Sequence, residues 1–320
     1  MATRSEALAA IKQVPNFASG YASTTIASSI LQDAYFLTGQ PIKTGINYQY
    51  AQFDRADGIT IPDTRATGND PYGTTLAFGG ELKQGVLLPH RASTAWYDIS
   101  ANVTDDDLLL KLQGGVKLAT QALVTGRFQR ILSAASQAAG AAVDTIRCTG
   151  GSATQAVSQI QAVVQTVQRA AGGGGYANIN VLFGAGAFQL FSNATSVQGR
   201  ITGGATKAIP ATPTEQDIAR LIGFNVNVKI TSAVYNSAAV GQTATPAFLL
   251  DNSIYVAAVS PSASLEDPSA LKFFEGYGSF AETPMYAQSQ TGMELASWNW
   301  YENIHATNAN AIKLISVSAT

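Results

Sequence analysis

The sequence predicts an α+β fold in which one long helix organises strands that arrive late in the chain. Three observations carry this. Apolar residues recur at three- and four-residue spacing between Thr104 and Ala139, the period of a helix. Apolar and polar residues alternate strictly from Phe224 to Ile230, the pattern of a half-buried strand. Two strand-like stretches then close the chain, "GMELASWNWYENIHA" (292–306) and "NAIKLISVSA" (310–319). With 320 residues the chain is long enough for about two domains, and it shows no internal repeat.

Residues 1–45 read as a peripheral arm with short helices over Ser5–Gln13 and Thr24–Phe36, ordered by partners. Residues 46–99 change character. Turn signals at Asp57-Gly58, Asn69-Asp70-Pro71 and Gly79-Gly80 separate β-prone pieces at Tyr48–Phe53, Gly58–Ile61, Thr74–Phe78 and Gln84–Ile99. This predicts a long hairpin whose charged tip carries Asp54, Arg55, Asp57, Asp63, Arg65 and Asp70. A two-stranded hairpin is marginal alone in water, so it must rest on its own domain or on another subunit.

The helix over 104–139 would run roughly 50 Å at 1.5 Å per residue. Its stripe is Leu109, Leu112, Val116, Ala119 and Leu123, drifting to Val124, Phe128, Ile131, Ala135 and Ala138. Asp105, Asp106 and Asp107 open it. Consecutive helical residues point about 100° apart, so these three cannot converge on one ion. The alternate oxygens and central glycine of a calcium loop are absent. Thr104 instead suits the N-cap, with Asp107 as its capping-box acid.

Residues 153–171 predict a second amphipathic helix with Val157, Ile160, Val163, Val164 and Val167 on one face, stopped by "GGGG" at 172–175. "ANINVLF" (177–183) is a strand running into a helix near Phe188, and "SVQGRITGGATKAIPATPT" reads as a long loop. Thr214 and Asp217 form a capping box for a short helix that Gly223 ends. "PAFLLDNSIYVAAV" (246–259) supplies one strand or two short ones.

Charged residues make up 12% of the chain, against roughly 25% in ordinary soluble domains, while apolar residues make up 46%. Such a sparsely charged surface suits a protein that buries much of itself against neighbours. The net charge of −2 and the lack of any Lys/Arg run leave no basic stripe readable in sequence of the kind that tight autonomous binding of nucleic acid needs, although folding could still gather one. Cys148 is the one cysteine, a small buried hydrophobe that excludes an intrachain disulfide or a cysteine cage. The N-terminus lacks the apolar core of a signal peptide, and no run approaches the roughly 18 apolar residues of a membrane span. A reducing compartment and no membrane partner are therefore expected.

Several constellations fail as reaction centres. Gly184-x-Gly186 follows a strand, but the third glycine of a dinucleotide fingerprint is replaced by Gln189, and no acid lies near 20 residues onward. His90 and His305 are the two histidines and form no HxxxH or HxH pair. No GxSxG elbow is present. Trp298 and Trp300 share a strand face without basic residues between them, which favours packing over stacking on bases. No cofactor, metal or catalytic residue is expected.

The order of elements is the informative feature. "YDISANVTDDDLLLKLQGGVKLATQALVTGRFQRIL", "IARLIGFNVNVKITSAVY", "PAFLLDNSIYVA" and "GMELASWNWYENIHATNANAIKLISVS" together resemble the major capsid proteins of tailed phages, the Hong Kong-type capsid fold shared with encapsulins. The resemblance implies an N-terminal arm (1–45), an E-loop (46–99) and a peripheral domain with its spine helix (100–152). It further implies an axial domain (153–262), returning peripheral strands (263–307) and a closing axial strand (308–320). It implies a shell of pentamers and hexamers of this chain around double-stranded DNA, held without sequence specificity, in a virion assembled in the host cytoplasm. A separate scaffold protein, a portal and decoration proteins are the expected further partners. The mixed-sign E-loop residues would meet neighbouring subunits, and Lys83 is the candidate for a covalent crosslink of the kind some members make. An encapsulin-type compartment is the alternative, followed by a soluble α/β enzyme using the Gly184 corner.

Overall fold

The computed structural model describes residues 29–53, 80–93, 96–97, 105–148, 155–172, 178–201, 213–238, 242–260, 269–276, 285–288 and 293–319. The first elements are helix α1 (Ser29–Thr38) and strands β1 (Ile42–Lys43), β2 (Asn47–Phe53), β3 (Gly80–Val86), β4 (Leu88–Ser93) and β5 (Trp96–Tyr97). The long helix α2 (Asp105–Ala139) follows. Its second half buries Leu123, Val124, Phe128, Ile131 and Ala135, the face that the helical period marks. Gly140 ends it with a φ of +67°, a conformation most side chains avoid.

Next come β6 (Asp144–Arg147), α3 (Ala156–Ala170), β7 (Asn178–Phe183), α4 (Ala185–Asn193), α5 (Thr195–Ile201) and α6 (Glu215–Ile222). The apolar stripe of α3 is buried as its spacing predicts. The capping box of α6 is present: the Thr214 hydroxyl accepts from the Asp217 amide, and the Asp217 carboxylate accepts from the Thr214 amide. The chain closes with β8 (Asn227–Ile230), β9 (Val234–Asn236), β10 (Pro246–Phe248), β11 (Ser253–Val259), β12 (Leu271–Glu275), β13 (Met285–Gln288), β14 (Met293–Ala306) and β15 (Ile312–Ser318).

Three local expectations change. Helix α5 occupies the start of the segment read as a loop, because Val197 packs into the core and the Ala194 carbonyl accepts from the Val197 and Gln198 amides. Strand β8 starts three residues later than the alternation implies. Phe224 and Asn225 adopt φ of 57° and 53° in a left-handed turn after Gly223, which leaves Phe224 exposed. Within the span read as an arm, α1 buries Ala34 and Leu37 completely, and β1 joins a sheet.

Two sheets result. The five-stranded sheet has the order β6-β15-β11-β7-β8, with β11 antiparallel to both neighbours and the outer pairs parallel. β7 and β11 are buried almost continuously, as strands covered on both faces must be. In the six-stranded sheet, β14 pairs in turn with β13 and β5, then β4, then β12, and β1 adds parallel to β12. Side chains 300, 302 and 304 of β14 face α2, while 303 and 305 face the β2–β3 hairpin. This sheet is thus sandwiched between the long helix and the hairpin.

Candidate assembly surface

The hairpin pairs β2 with β3 in antiparallel register, Tyr48 opposite Gly85 and Tyr50 opposite Lys83. Its inner face docks through aromatic rings. Tyr48 stacks on Phe274 at 4.4 Å between centroids, and Tyr50 stacks on His305 at 4.3 Å with 16° between planes. A Cβ at residue 85 would come within 2.5 Å of the Tyr48 ring, so glycine is the residue that lets the ring lie flat across the partner strand. Polar contacts fix the base: the Asn303 side-chain amide donates to the Val86 carbonyl at 2.8 Å, and the Phe53 amide to the Thr307 carbonyl at 2.7 Å.

The outer face is different. Period-two geometry puts Leu82, Gln84 and Val86 together with Asn47, Gln49 and Ala51, a face with no charge. Leu82 is 73% exposed and Val86 51%, and Ile46, just before β2, is exposed as well. Exposed apolar residues scattered singly are ordinary, but Leu82 and Val86 share one uncharged face of the hairpin, the kind of surface that partners cover. Of the residues the sequence singles out, Lys83 lies in β3, 3.7 Å from Glu81 of the same strand. Both ends of that pair are exposed, so it contributes little. Asp54, Arg55, Asp57, Asp63, Arg65 and Asp70 lie outside the described residues, as do Thr104 and the Asp107 side chain; α2 itself begins at Asp105.

The Tyr48 hydroxyl lies 2.7 Å from His305 Nε2. Burial raises the Tyr48 pKa, with the neighbouring Tyr50 adding to the effect, so the hydroxyl keeps its proton and donates. Burial lowers the His305 pKa below its ordinary 6.5, so the neutral ring accepts. A depressed histidine pKa stabilises the docked hairpin above the unfolded value, and that stability is lost as pH falls below it. The protection factors of the β2 and β3 amides, with intrinsic exchange rates divided out, are therefore expected to fall selectively as pH drops below the ordinary histidine value. His305→Asn should remove this acid dependence; if the variant keeps it, another group is responsible.

On the opposite face of the sheet a buried ionic network joins α2 to β12 and β14. Arg127, 1% exposed, donates through Nε to Glu302 Oε2 at 2.8 Å, through Nη1 to the Tyr35 hydroxyl at 2.7 Å and through Nη2 to Glu275 Oε1 at 3.1 Å. Its guanidinium also lies 4.8 Å from the Phe273 ring centre. Arg130 takes the other oxygen of Glu302 and sits against Trp300, which stacks on His90. Lys43 from β1 closes on Glu275 at 3.1 Å. Burial opposes the charge on Arg127, but Glu302, Tyr35 and Glu275 more than offset it, and its pKa stands above the ordinary value. The sequence reading missed these residues. The signal was there: Arg127 interrupts the stripe Val124–Phe128–Ile131, and Glu302 sits on the core-facing side of Trp300-x-Glu302-x-Ile304.

The glycine corner before α4 is filled by the chain itself. The Gly186 amide donates to Asp251 Oδ1 at 3.0 Å, Ala187 to the Asp251 carbonyl at 3.0 Å and Ala185 to the Leu250 carbonyl at 3.2 Å. The amides a phosphate would use are thus taken. At Gly184 a Cβ would stand 2.8 Å from the Leu250 and Asp251 carbonyl carbons and closer still to the Asp251 oxygen. The φ of −73° suits any residue, so the requirement is steric. Gly184→Ala is expected to cost about 3 kcal/mol, at the upper end for overpacking because the obstacle is backbone. Urea denaturation checks this, and wild-type stability in the variant would refute it. Cys148 is buried, and burial raises its thiol pKa, as suits an inert core residue.

No protein-family model matches the chain, and no curated protein matches it by sequence. Solved structures match it by shape. A virus-like particle from Pyrococcus furiosus gives a TM-score of 0.50 at 9% identity, covering 95% of this chain and 98% of that one. The capsid of the cyanophage P-SCSP1u gives 0.44 at 12% identity, over 89% and 87%. A phage-related protein from Bordetella bronchiseptica RB50 gives 0.59 at 13% identity, over 94% and 96%. At these identities the comparisons speak for the fold alone, and on that level the α+β expectation from the sequence holds: the chain shares its fold over nearly its whole length with the Bordetella phage-related protein and the Pyrococcus virus-like particle.

Proposed function

We propose that this chain is the major capsid protein of a tailed phage, assembling as pentamers and hexamers into an icosahedral head around double-stranded DNA. The observation that carries the proposal is the fold shared end to end with a phage-related protein and a virus-like particle. The uncharged apolar face of the β2–β3 hairpin supports it, since a neighbouring copy would cover Leu82 and Val86. In this reading Asp54, Arg55, Asp57, Asp63, Arg65 and Asp70 meet adjacent subunits, Lys83 is the crosslinking candidate, and Thr104 with Asp107 caps the helix that supports the subunit. The net charge of −2 suits a wall that confines DNA without gripping a sequence. Scaffold, portal and decoration proteins complete the set of partners, and the mature location is the virion.

The match to the Pyrococcus virus-like particle favours a second reading, a protein compartment that encloses an enzyme instead of a genome. Negative-stain microscopy of the purified chain, with and without a co-expressed scaffold, tests both. Closed particles are expected. Particles that package DNA when supplied with portal and packaging motor support the first reading, and particles that capture a co-expressed cargo enzyme support the second. A chain that stays monomeric under every condition contradicts both.

A further inference from the structure

The five-stranded sheet ends at β8, and the two ends of this edge strand carry unlike surfaces. Helix α6 runs back along the strand. The Glu215 carboxylate, on the first residue of α6, accepts from the Ile230 amide at the end of β8 at 2.8 Å. The last turn of α6 carries Arg220, and Gly223 returns the chain toward the start of β8.

Beyond Ile230 the chain enters the β9–β10 ribbon. The Thr231 amide donates to the Phe183 carbonyl at 2.9 Å and the Leu249 amide to the Ala233 carbonyl at 2.8 Å, which anchors the ribbon to the sheet. Its register sets Val234 opposite Phe248 and Asn236 opposite Pro246, so these four side chains share one face. All four are exposed, while Tyr235 and Ala247 on the other face are half-buried. The ribbon thus turns an uncharged, largely apolar face outward. Two exposed acids lie at its base, Glu215 beside Ile230 and Asp251 three residues after Phe248.

The opposite end of β8 carries the left-handed turn. Phe224 and Asn225 hold φ of 57° and 53°. A bulky side chain is strained there, and such strain persists where the surroundings enforce it. Gln168 Nε2 donates to the Phe224 carbonyl at 3.3 Å, and Val226 is buried just beyond. The outcome is a phenyl ring held in water. Arg169, next to Gln168, and Arg220 are exposed at this end. One end therefore presents an aromatic ring with two cations, and the other an apolar strand face with two anions. β8 alone separates them by roughly 13 Å at 3.3 Å per residue, so Phe224 cannot reach the ribbon of its own chain. A second copy can supply that ribbon, and the opposite charges select which ends meet. A contact between unlike surfaces of identical chains runs head to tail, and repeated about an axis it closes a ring.

We propose that copies of this chain meet head to tail at the edge of the five-stranded sheet: the Phe224 ring of one copy seats on the Val234–Phe248 face of the next, with Arg169 and Arg220 opposite Glu215 and Asp251. The inference rests on the reading that the chain associates with its own copies, and it names the contact that makes a ring of them.

Replacing Phe224 by p-benzoylphenylalanine keeps an aromatic ring and captures what touches it on irradiation. In an equimolar mixture of this full-length variant with isotope-labelled wild type, mass spectrometry is expected to find the ring joined to a labelled peptide carrying Val234 or Phe248. Capture elsewhere, capture within the same chain, or none overturns the proposal. Sedimentation velocity on the same mixture reads association separately. Particles with capture elsewhere leave the shell reading standing and sink this contact. Small rings captured on the ribbon support the contact and contradict the closed shell, and a chain that stays monomeric overturns both. Phe224→Gly, which suits a left-handed backbone, is expected to melt no lower than wild type while sedimenting as smaller species. A lower Tm would make Phe224 a residue that the fold itself needs and overturn its docking role.

Discussion

Arg127→Ala is expected to destabilise the subunit by about 3–5 kcal/mol, the range for removing one partner of a buried charge network. The guanidinium is 1% exposed and serves Glu302, Glu275 and Tyr35 together. Its loss strands carboxylates on the helix-facing side of β12 and β14, and it empties the space against Phe273. Chemical denaturation followed by circular dichroism measures the effect. Restoring the volume alone should not rescue stability, so Arg127→Met is expected to remain well below wild type. Combining Arg127→Met with Glu302→Gln and Glu275→Gln should recover much of the loss, because neutralising a whole buried network is often neutral or stabilising. A loss under about 1 kcal/mol for the single alanine variant would show that water reaches the network. Arg130→Ala should cost less, since Arg130 is partly exposed and shares Glu302 with Arg127.

If the chain assembles as proposed, Leu82→Glu with Val86→Glu is expected to abolish particle formation while leaving the chain folded. Both side chains point away from the docked face, so the change in subunit stability should stay within about 0.5 kcal/mol, as for surface sites generally. At an interface the same carboxylates would be taken out of water without partners, at several kcal/mol each even after relaxation, and the penalty recurs in every copy of the contact. Sedimentation velocity and negative-stain microscopy separate the outcomes. Wild-type particle yield from the double variant would mean that this face stays in water in the shell. The Glu81–Lys83 pair makes a control, since exchanging its two charges should change neither stability nor assembly measurably.

Elements with a clean local period were readable in advance. The stripe of α3, the capping box of α6 and the limits of α2, β7, β14 and β15 follow from spacing and cap chemistry, which act within a few residues. Where two local signals compete, the reading slipped. Alternation pointed to a strand from Phe224, whereas the left-handed turn after Gly223 delays it to Asn227. Gly and Thr around 195–204 pointed to a loop, whereas the burial of Val197 draws the first part into α5.

The sequence by itself determined that this is an α+β chain with one dominant helix, a long hairpin, a sparsely charged surface and no legible reaction centre. Those properties are sums over composition or short-range periodicities, so they survive without coordinates. Only the tertiary structure decided that Arg127 and Glu302, 175 positions apart, neutralise each other inside the subunit. The same holds for the docking of Tyr48 on His305 across 257 positions, and for the contacts of α1 with Lys229 and Asn180. A buried charge and an aromatic stack depend on which distant surface the fold brings opposite them. No period within one segment carries that information.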